Sequence, residues 1–334
     1  MKIAYILPLG TIVSSKSNGI RMQAAIWAEE IRKLGHTVEQ IDIWGDHDWK
    51  SFDIIHIFGI FPDVDDMIRV LSLKTSAAFV YSPIVDTNRP WRLSKLASYA
   101  DFPPLHMTSP WSVLRHAARR PIYFLVRSEY EKEYVHKALS VDPKRIYKVM
   151  LPFRFSDAAT HQREDFCFHV SILSGPHKNV RRLIDAAIKY DFRLVLAGKC
   201  GSTEFQKFLD DTMKKHPNIE YRGWISDEEL LHLYATAKCF ALPSLFEGVG
   251  LVALDAAACG CGIVMTDRGA PKEYYGGLAQ LVDPESVDDI GKAVSKVLAG
   301  ETHQPELLRH IRDNYSLDKV ASLLESAYRD IIGG

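Results

Sequence analysis

The chain has 334 residues, 47% hydrophobic and 25% charged, with 41 Lys and Arg against 42 Asp and Glu for a net charge of −1. Enough apolar surface is available to offset chain entropy, which excludes a disordered chain, and the length favours two domains over a single core. The near-neutral balance excludes the strongly basic profile of a dedicated nucleic-acid binder.

The first predicted element is a strand over residues 2–7, followed by a long loop over 8–19. A helix comes next, with Ile20, Ala24, Trp27, Ala28 and Ile31 at helical spacing and Gly35 as its stop. Lys2 and the short apolar run broken by Pro8 are too brief for a signal peptide. No run reaches the ~18 apolar residues of a spanning helix, so the expected location is cytoplasmic or on a membrane from its cytosolic side. Strands are predicted over 37–43, 53–58, 77–82, 122–127 and 146–151, with helical stretches between, notably 128–139.

The rhythm restarts in the second half. Strands read over 166–173, 193–197, 219–224, 239–242, 262–266 and 278–282. Helices read over 179–189, 203–215, 226–236, 251–259 and 286–298, two of them opened by capping signals, Ser226 with Glu229 and Ser286 with Asp289. Apolar strands alternating with helices imply parallel sheets covered on both faces. The predicted class is therefore α/β with two Rossmann-like domains and a cleft between them. Boundaries are placed at 1–155 for the first domain and 156–315 for the second, with 316–334 a terminal helix that follows a finished sheet. Residues 1–160 carry 21 basic and 17 acidic side chains, a net of +4; residues 161–334 carry 20 and 25, a net of −5. The five cysteines, at 167, 200, 239, 259 and 261, have no CxxC spacing and read as buried free thiols of a reducing compartment. No metal-ligand spacing is evident among the 13 histidines.

The densest signal is PSLFEGVGLVALD over residues 243–255. A strand ends, a short loop carries Glu247, Gly248, Val249 and Gly250, and a helix begins at Leu251. In a parallel sheet this places the loop at the carboxyl edge, where ligands bind. The glycines let backbone approach a ligand, and a helix N-terminus favours phosphate. Asp255, about one turn into the helix, is expected at the same rim as Glu247, and carboxylates there suit sugar hydroxyls. Gly248, Gly250 and Ala253 also spell the GxGxxA of a dinucleotide fingerprint, but that motif belongs directly after the first strand of its unit. A second element is SGPHKN over 174–179. Lys178 stands at a helix start, which is unfavourable for a cation unless an anion sits beside it.

The second half resembles the donor domain of retaining glycosyltransferase family 4, enzymes of the GT-B fold. The residues that carry the likeness are Glu247 and Asp255 at the family's eight-position spacing, HKNVRRLIDAA (177–187), RLVLAG (193–198), IEYRGWISDEELLHLY (219–234), TDRGAPKEYYGG (266–277) and LVDP (281–284). GHTV (35–38), DIIHIFG (53–59) and YSLDKV (315–320) extend it more loosely to the rest. The resemblance implies a GT-B architecture with sheets facing a central cleft and a C-terminal helix that crosses back to the first domain. It implies a hexosyltransferase moving a sugar with retention from a nucleotide diphosphate sugar, UDP by default, to a glycan or glycolipid hydroxyl, as in cell-surface polysaccharide biosynthesis. Lys178 would bind the diphosphate with the helix N-terminus at Gly250–Leu251. Glu247 would bind the sugar, with Gly248 and Val249 offering N–H groups. Asp255 would hold the ribose, Trp224 would lie beside the base, and Gly19 would approach the phosphates. No metal or other cofactor is implied. Two departures stand out: Leu173 occupies the place of a usual Arg, and Asp255 that of a usual Glu. Asp86 and Arg89 are the candidates on the acceptor side. Residues 89–127 carry Arg89, Arg92, Lys95, Arg115, Arg119, Arg120 and Arg127 against Asp101 alone, interleaved with Trp91, Phe102, Leu105 and Trp111. That segment suits peripheral contact with an anionic membrane, an anionic acceptor, or an ordinary solvated face. The alternatives to an active transferase are a non-catalytic nucleotide-sugar-binding relative or partner subunit, and an epimerase or phosphorylase of the same fold.

Overall fold

Strands β1 (Lys2–Ile6), β2 (Thr37–Gln40), β3 (Ile54–Phe58), β4 (Ala78–Ser82), β5 (Tyr123–Val126) and β6 (Ile146–Lys148) form one parallel sheet in the order β2-β1-β3-β4-β5-β6. Strands β7 (Glu164–Val170), β8 (Leu194–Ala197), β9 (Ile219–Tyr221), β10 (Ala237–Leu242), β11 (Gly262–Thr266) and β12 (Gln280–Val282) form a second, in the order β12-β11-β10-β7-β8-β9. The computed structural model describes residues 1–13, 19–42, 45–101, 109–155 and 162–333. Strand cores such as Ile54-Ile55-His56-Ile57-Phe58 and Gly262-Ile263-Val264-Met265-Thr266 are buried throughout, as sheets covered on both faces require.

The chain divides into two units, residues 1–85, 89–151 and 317–334 in the first and residues 86–88 and 152–316 in the second. Residues 152–155, assigned from the sequence to the first domain, fall in the second unit. The reason is visible in their bonds: Phe153 N donates to Tyr315 O, and Arg154 is tied to Asp255. The helix Leu317–Gly333 packs within the first unit. Its Tyr328 hydroxyl lies 2.8 Å from that of Tyr5 and 2.7 Å from His56 Nδ1, while His56 Nε2 meets Ser82 Oγ at 2.9 Å. All four side chains are buried, so the helix is joined to β1, β3 and β4 by a hydrogen-bonded chain that leaves these polar groups satisfied.

One expectation is corrected in the first unit: the loop predicted over 8–19 begins with a short helix, Leu9–Val13. In the second unit, Cys167, Cys239, Cys259 and Cys261 are buried free thiols and Cys200 is half-buried. Among the described residues no helix is long and apolar enough to cross a membrane.

Candidate active site

In the second sheet the strand order reverses between β7 and β10, which are neighbours although β8 and β9 lie between them in sequence. Ligands of doubly wound sheets bind outside the carboxyl ends of such a pair. The two motif loops leave these ends: residues 171–179 follow β7 and residues 243–250 follow β10.

The first loop is fixed by backbone bonds. Leu173 N donates to Lys199 O at 2.9 Å, Ser174 N to Cys200 O at 3.0 Å, and Lys178 N closes a turn on Gly175 O at 2.9 Å. Asn179 then takes the left-handed conformation, with φ 58°, at the start of the helix Val180–Tyr190. Its buried side-chain amide donates to Pro243 O (2.9 Å) and Pro284 O (2.6 Å). Leu245 N returns a bond to His177 O at 2.8 Å. The two loops are thereby stitched together by two hydrogen bonds, Asn179 Nδ2 to Pro243 O and Leu245 N to His177 O, and the bond to Pro284 O ties the first loop to the segment after β12.

Lys178 Nζ meets Glu247 Oε1 at 2.7 Å, with side-chain exposures of 22% and 9%. The anion that accounts for a lysine at this helix start is therefore Glu247 itself. Glu247 is held by its own backbone: its N–H donates to Arg268 O at 3.2 Å, and its carbonyl accepts from Ala270 N at 3.2 Å. Gly269, with φ 105°, makes this approach practicable, because a Cβ there would lie 1.9 Å from Glu247 O. Gly250, with φ 76°, is the N-cap of the helix Leu251–Ala258, whose first N–H groups have no partners within the helix. Val249 turns its side chain into the core.

Asp255 departs from expectation. It lies in the interior, fully buried, and does not reach the rim beside Glu247. Arg154 donates to it three times: its backbone N to Oδ1 at 2.7 Å, and Nε and Nη2 to Oδ2 at 2.7 and 2.5 Å. Burial raises the Asp255 pKa and the guanidinium opposes that rise. Placed there, Asp255 anchors the helix that begins at the site. Its partner Arg154 was not singled out from the sequence, since it lies 101 residues away in a stretch that reads as a linker.

Two histidines lie at the same sheet edge. His169, on β7, is buried, with Nδ1 2.7 Å from Ala241 O and Nε2 2.8 Å from Ser171 Oγ. Burial pushes its pKa down to about 4, so the ring is neutral at pH 7. His177 is also lowered, by burial and by Lys178, with Glu247 and Asp86 acting in opposition. Leu173, in place of the usual arginine, is buried in the apolar core. Trp224 is 62% exposed just beyond β9, with Lys199 Nζ 5.4 Å from its ring.

The first-unit candidates are more dispersed. Gly19 is the exposed first residue of the helix Gly19–Lys33, and a Cβ there would meet nothing within 4 Å. Asp86 groups with the second unit and Arg89 with the first, both exposed. The expected basic patch is smaller than its count. Arg115 is bonded to Ser98 O and lies 3.5 Å from Asp101, Arg120 is bidentate on Asp65, and Arg127 is buried on Glu131. Trp91 and Trp111 pack on the core, while Leu93, Leu96 and Tyr99 are exposed. Phe102 and Leu105 lie outside the described residues.

Residues 159–316 match the family of glycosyl transferases group 1. The match takes in nearly all of the second unit. Among curated relatives, the chain is similar to an O-antigen chain mannosyltransferase B of Escherichia coli, 31% identical over 38% of this chain and 35% of that one. It is also similar to an MMP alpha-(1->4)-mannosyltransferase of Mycolicibacterium hassiacum, 39% identical over 27% and 22% of the two chains. The aligned part thus spans about a third or less of these relatives' length. The fold extends further. A sucrose-phosphate synthase of Thermosynechococcus elongatus superposes with a TM-score of 0.78 over 99% of both chains at 14% identity. The HepE protein of Anabaena, solved with UDP and glucose, gives 0.72 over 99% of this chain and 100% of its own at 15% identity. The matched domain is therefore carried on the GT-B fold, as the likeness to family 4 implied.

Proposed function

We propose that the protein transfers a hexose from a nucleoside diphosphate hexose to a hydroxyl of a glycan or lipid-linked glycan, with retention at the anomeric carbon, in the assembly of a cell-surface polysaccharide. The observation that carries the reading is the Lys178–Glu247 pair at 2.7 Å, delivered by the two strands that flank the reversal of strand order. A cation and a hydrogen-bond acceptor side by side suit a diphosphate and the hydroxyls of the sugar attached to it. Mannose is the first sugar to test, because relatives of the matched domain are named mannosyltransferases. UDP is the nucleotide that the family likeness suggests, and GDP is the alternative to set beside it.

In the proposed reaction the bond from the anomeric carbon to the phosphate oxygen breaks, and a bond to the acceptor oxygen forms on the same face. The acceptor proton passes to the departing phosphate oxygen, and nucleoside diphosphate leaves. Lys178 and the N–H groups at the start of Leu251–Ala258 meet the charge that develops on the leaving group, so this scheme assigns that task to protein groups and not to a metal or other cofactor. Glu247 orients the hexose, Gly248 and Val249 offer backbone N–H groups, and Trp224 is the candidate platform for the base. Asp255 acts through the helix it anchors. Arg92, Leu93 and Leu96, on the helix Trp91–Ala97, are the proposed point of peripheral contact with an anionic membrane that carries a lipid-linked acceptor.

The test is release of nucleoside diphosphate from a panel of UDP-hexoses and GDP-mannose, with the anomeric configuration of any glycoside read by NMR. Release from at least one donor, with retained configuration in the product, supports the proposal. Release from none of them, with or without lipid-linked acceptor, counts against it.

A further inference from the structure

We propose that Glu247 makes this site prefer a sugar-charged donor over the free nucleoside diphosphate that the reaction leaves behind. The inference rests on the functional reading above and assigns a second task to one of its residues.

Lys178 and Glu247 are already each other's partner, and both are largely removed from water, at 22% and 9% side-chain exposure. Neither loop is free to drift away. Leu245 N on His177 O, Asn179 Nδ2 on Pro243 O, and the bonds joining Glu247 to Arg268 and Ala270 hold the backbones in place. Other cations close in sequence are engaged elsewhere: Arg182 donates to Asn179 Oδ1 at 2.7 Å, and Arg268 is held by Asp283 and Glu285 at 3.0 and 2.7 Å. A diphosphate that engages Lys178 shares the ammonium, which has three N–H donors, with Glu247 and brings its own negative charge beside that carboxylate.

The two ligands then fare differently. Free nucleoside diphosphate competes for the lysine and sets its own charge beside a carboxylate that is nine-tenths buried and has its ion pair weakened. Both desolvation and like-charge repulsion penalise that state. A hexose on the diphosphate places hydroxyl donors against the same carboxylate, which regains in hydrogen bonds what it lost in the ion pair. One side chain therefore grips the donor and helps to expel the spent nucleotide.

The experiment is calorimetric titration of UDP, GDP, UDP-hexoses and GDP-mannose into the wild-type chain, Glu247→Gln and Glu247→Asp, with the melting temperature of each variant as a check on folding. Gln removes the charge that repels the diphosphate, so the free diphosphate should bind about tenfold tighter while kcat/KM for the sugar donor falls. Asp keeps the charge and shortens the reach, so it should give no tightening. Wild-type product inhibition supplies an arm that needs no variant: the inhibition constant of the diphosphate should exceed the dissociation constant of its sugar form by about tenfold. Unchanged or weaker diphosphate binding by Glu247→Gln, equal tightening by Glu247→Asp, or equal wild-type constants would overturn the inference while leaving the functional reading intact. Binding of none of these compounds by the wild-type chain would overturn both.

Discussion

Replacing Arg154 by Ala removes the guanidinium that holds a fully buried carboxylate. Two of the three hydrogen bonds to Asp255 disappear, those from Nε and Nη2, while the backbone donor at 2.7 Å remains. Breaking a buried ion pair by deleting one partner costs about 3–5 kcal/mol, chiefly because a charge is left uncompensated. The surviving backbone bond places this case at the low end, about 3 kcal/mol. For a unit of this size that corresponds to a fall in melting temperature of roughly 6–12 °C, readable by calorimetry or urea unfolding. The double variant Arg154→Met with Asp255→Leu removes both charges together and should recover most of the loss. Donor affinity should fall in the single variant as well, because Asp255 positions the helix whose first turn faces the site. A single variant within about 1 kcal/mol of wild type, or a double variant as unstable as the single, would refute the buried-pair reasoning.

Acid should destabilise the second unit before most carboxylates titrate. His169 is held neutral with a pKa of about 4, against 6.5 for the ordinary group. Its contribution is therefore complete above about pH 6.5 and is lost as pH falls towards 4, at about 1.4 kcal/mol per pH unit in that window. Urea unfolding at pH 7 and pH 5 should differ by about 2 kcal/mol from this group alone, and equal stabilities would show that the buried ring is protonated without penalty. Gly269→Ala adds a Cβ 1.9 Å from the Glu247 carbonyl at φ 105°. It should cost about 2 kcal/mol or more and lower turnover by displacing the Glu247 loop; normal turnover in that variant would mean the loop is free to give way.

Much of the architecture was legible because apolar strands and capped helices alternate in register with the sheets they form. Ser226 and Ser286 do cap the helices predicted from them, accepting from Glu229 N and Asp289 N. The motif loops were legible because a strand that stops before glycine and an acid leaves few other uses for that backbone. What escaped the sequence is what depends on distant partners. Asp255 sits at the expected spacing from Glu247, yet spacing along a helix does not say whether its carboxylate meets solvent or an arginine 101 residues away. Lys178 signalled an anion, but its identity as Glu247 required β7 and β10 to be neighbours. The basic count over 89–127 overstated free charge because Asp65 and Glu131, which consume Arg120 and Arg127, are recognisable as partners only in three dimensions.

The most direct test of the central claim is kcat/KM for donor turnover by Lys178→Ala, with melting temperature measured alongside. The loop is held by backbone bonds, so the fold should survive, with a lowered melting temperature because Glu247 loses its ion-pair partner. Loss of the cation that meets the departing diphosphate should lower kcat/KM by ~100-fold or more. A well-folded variant that turns over at close to the wild-type rate would contradict the assignment of this site.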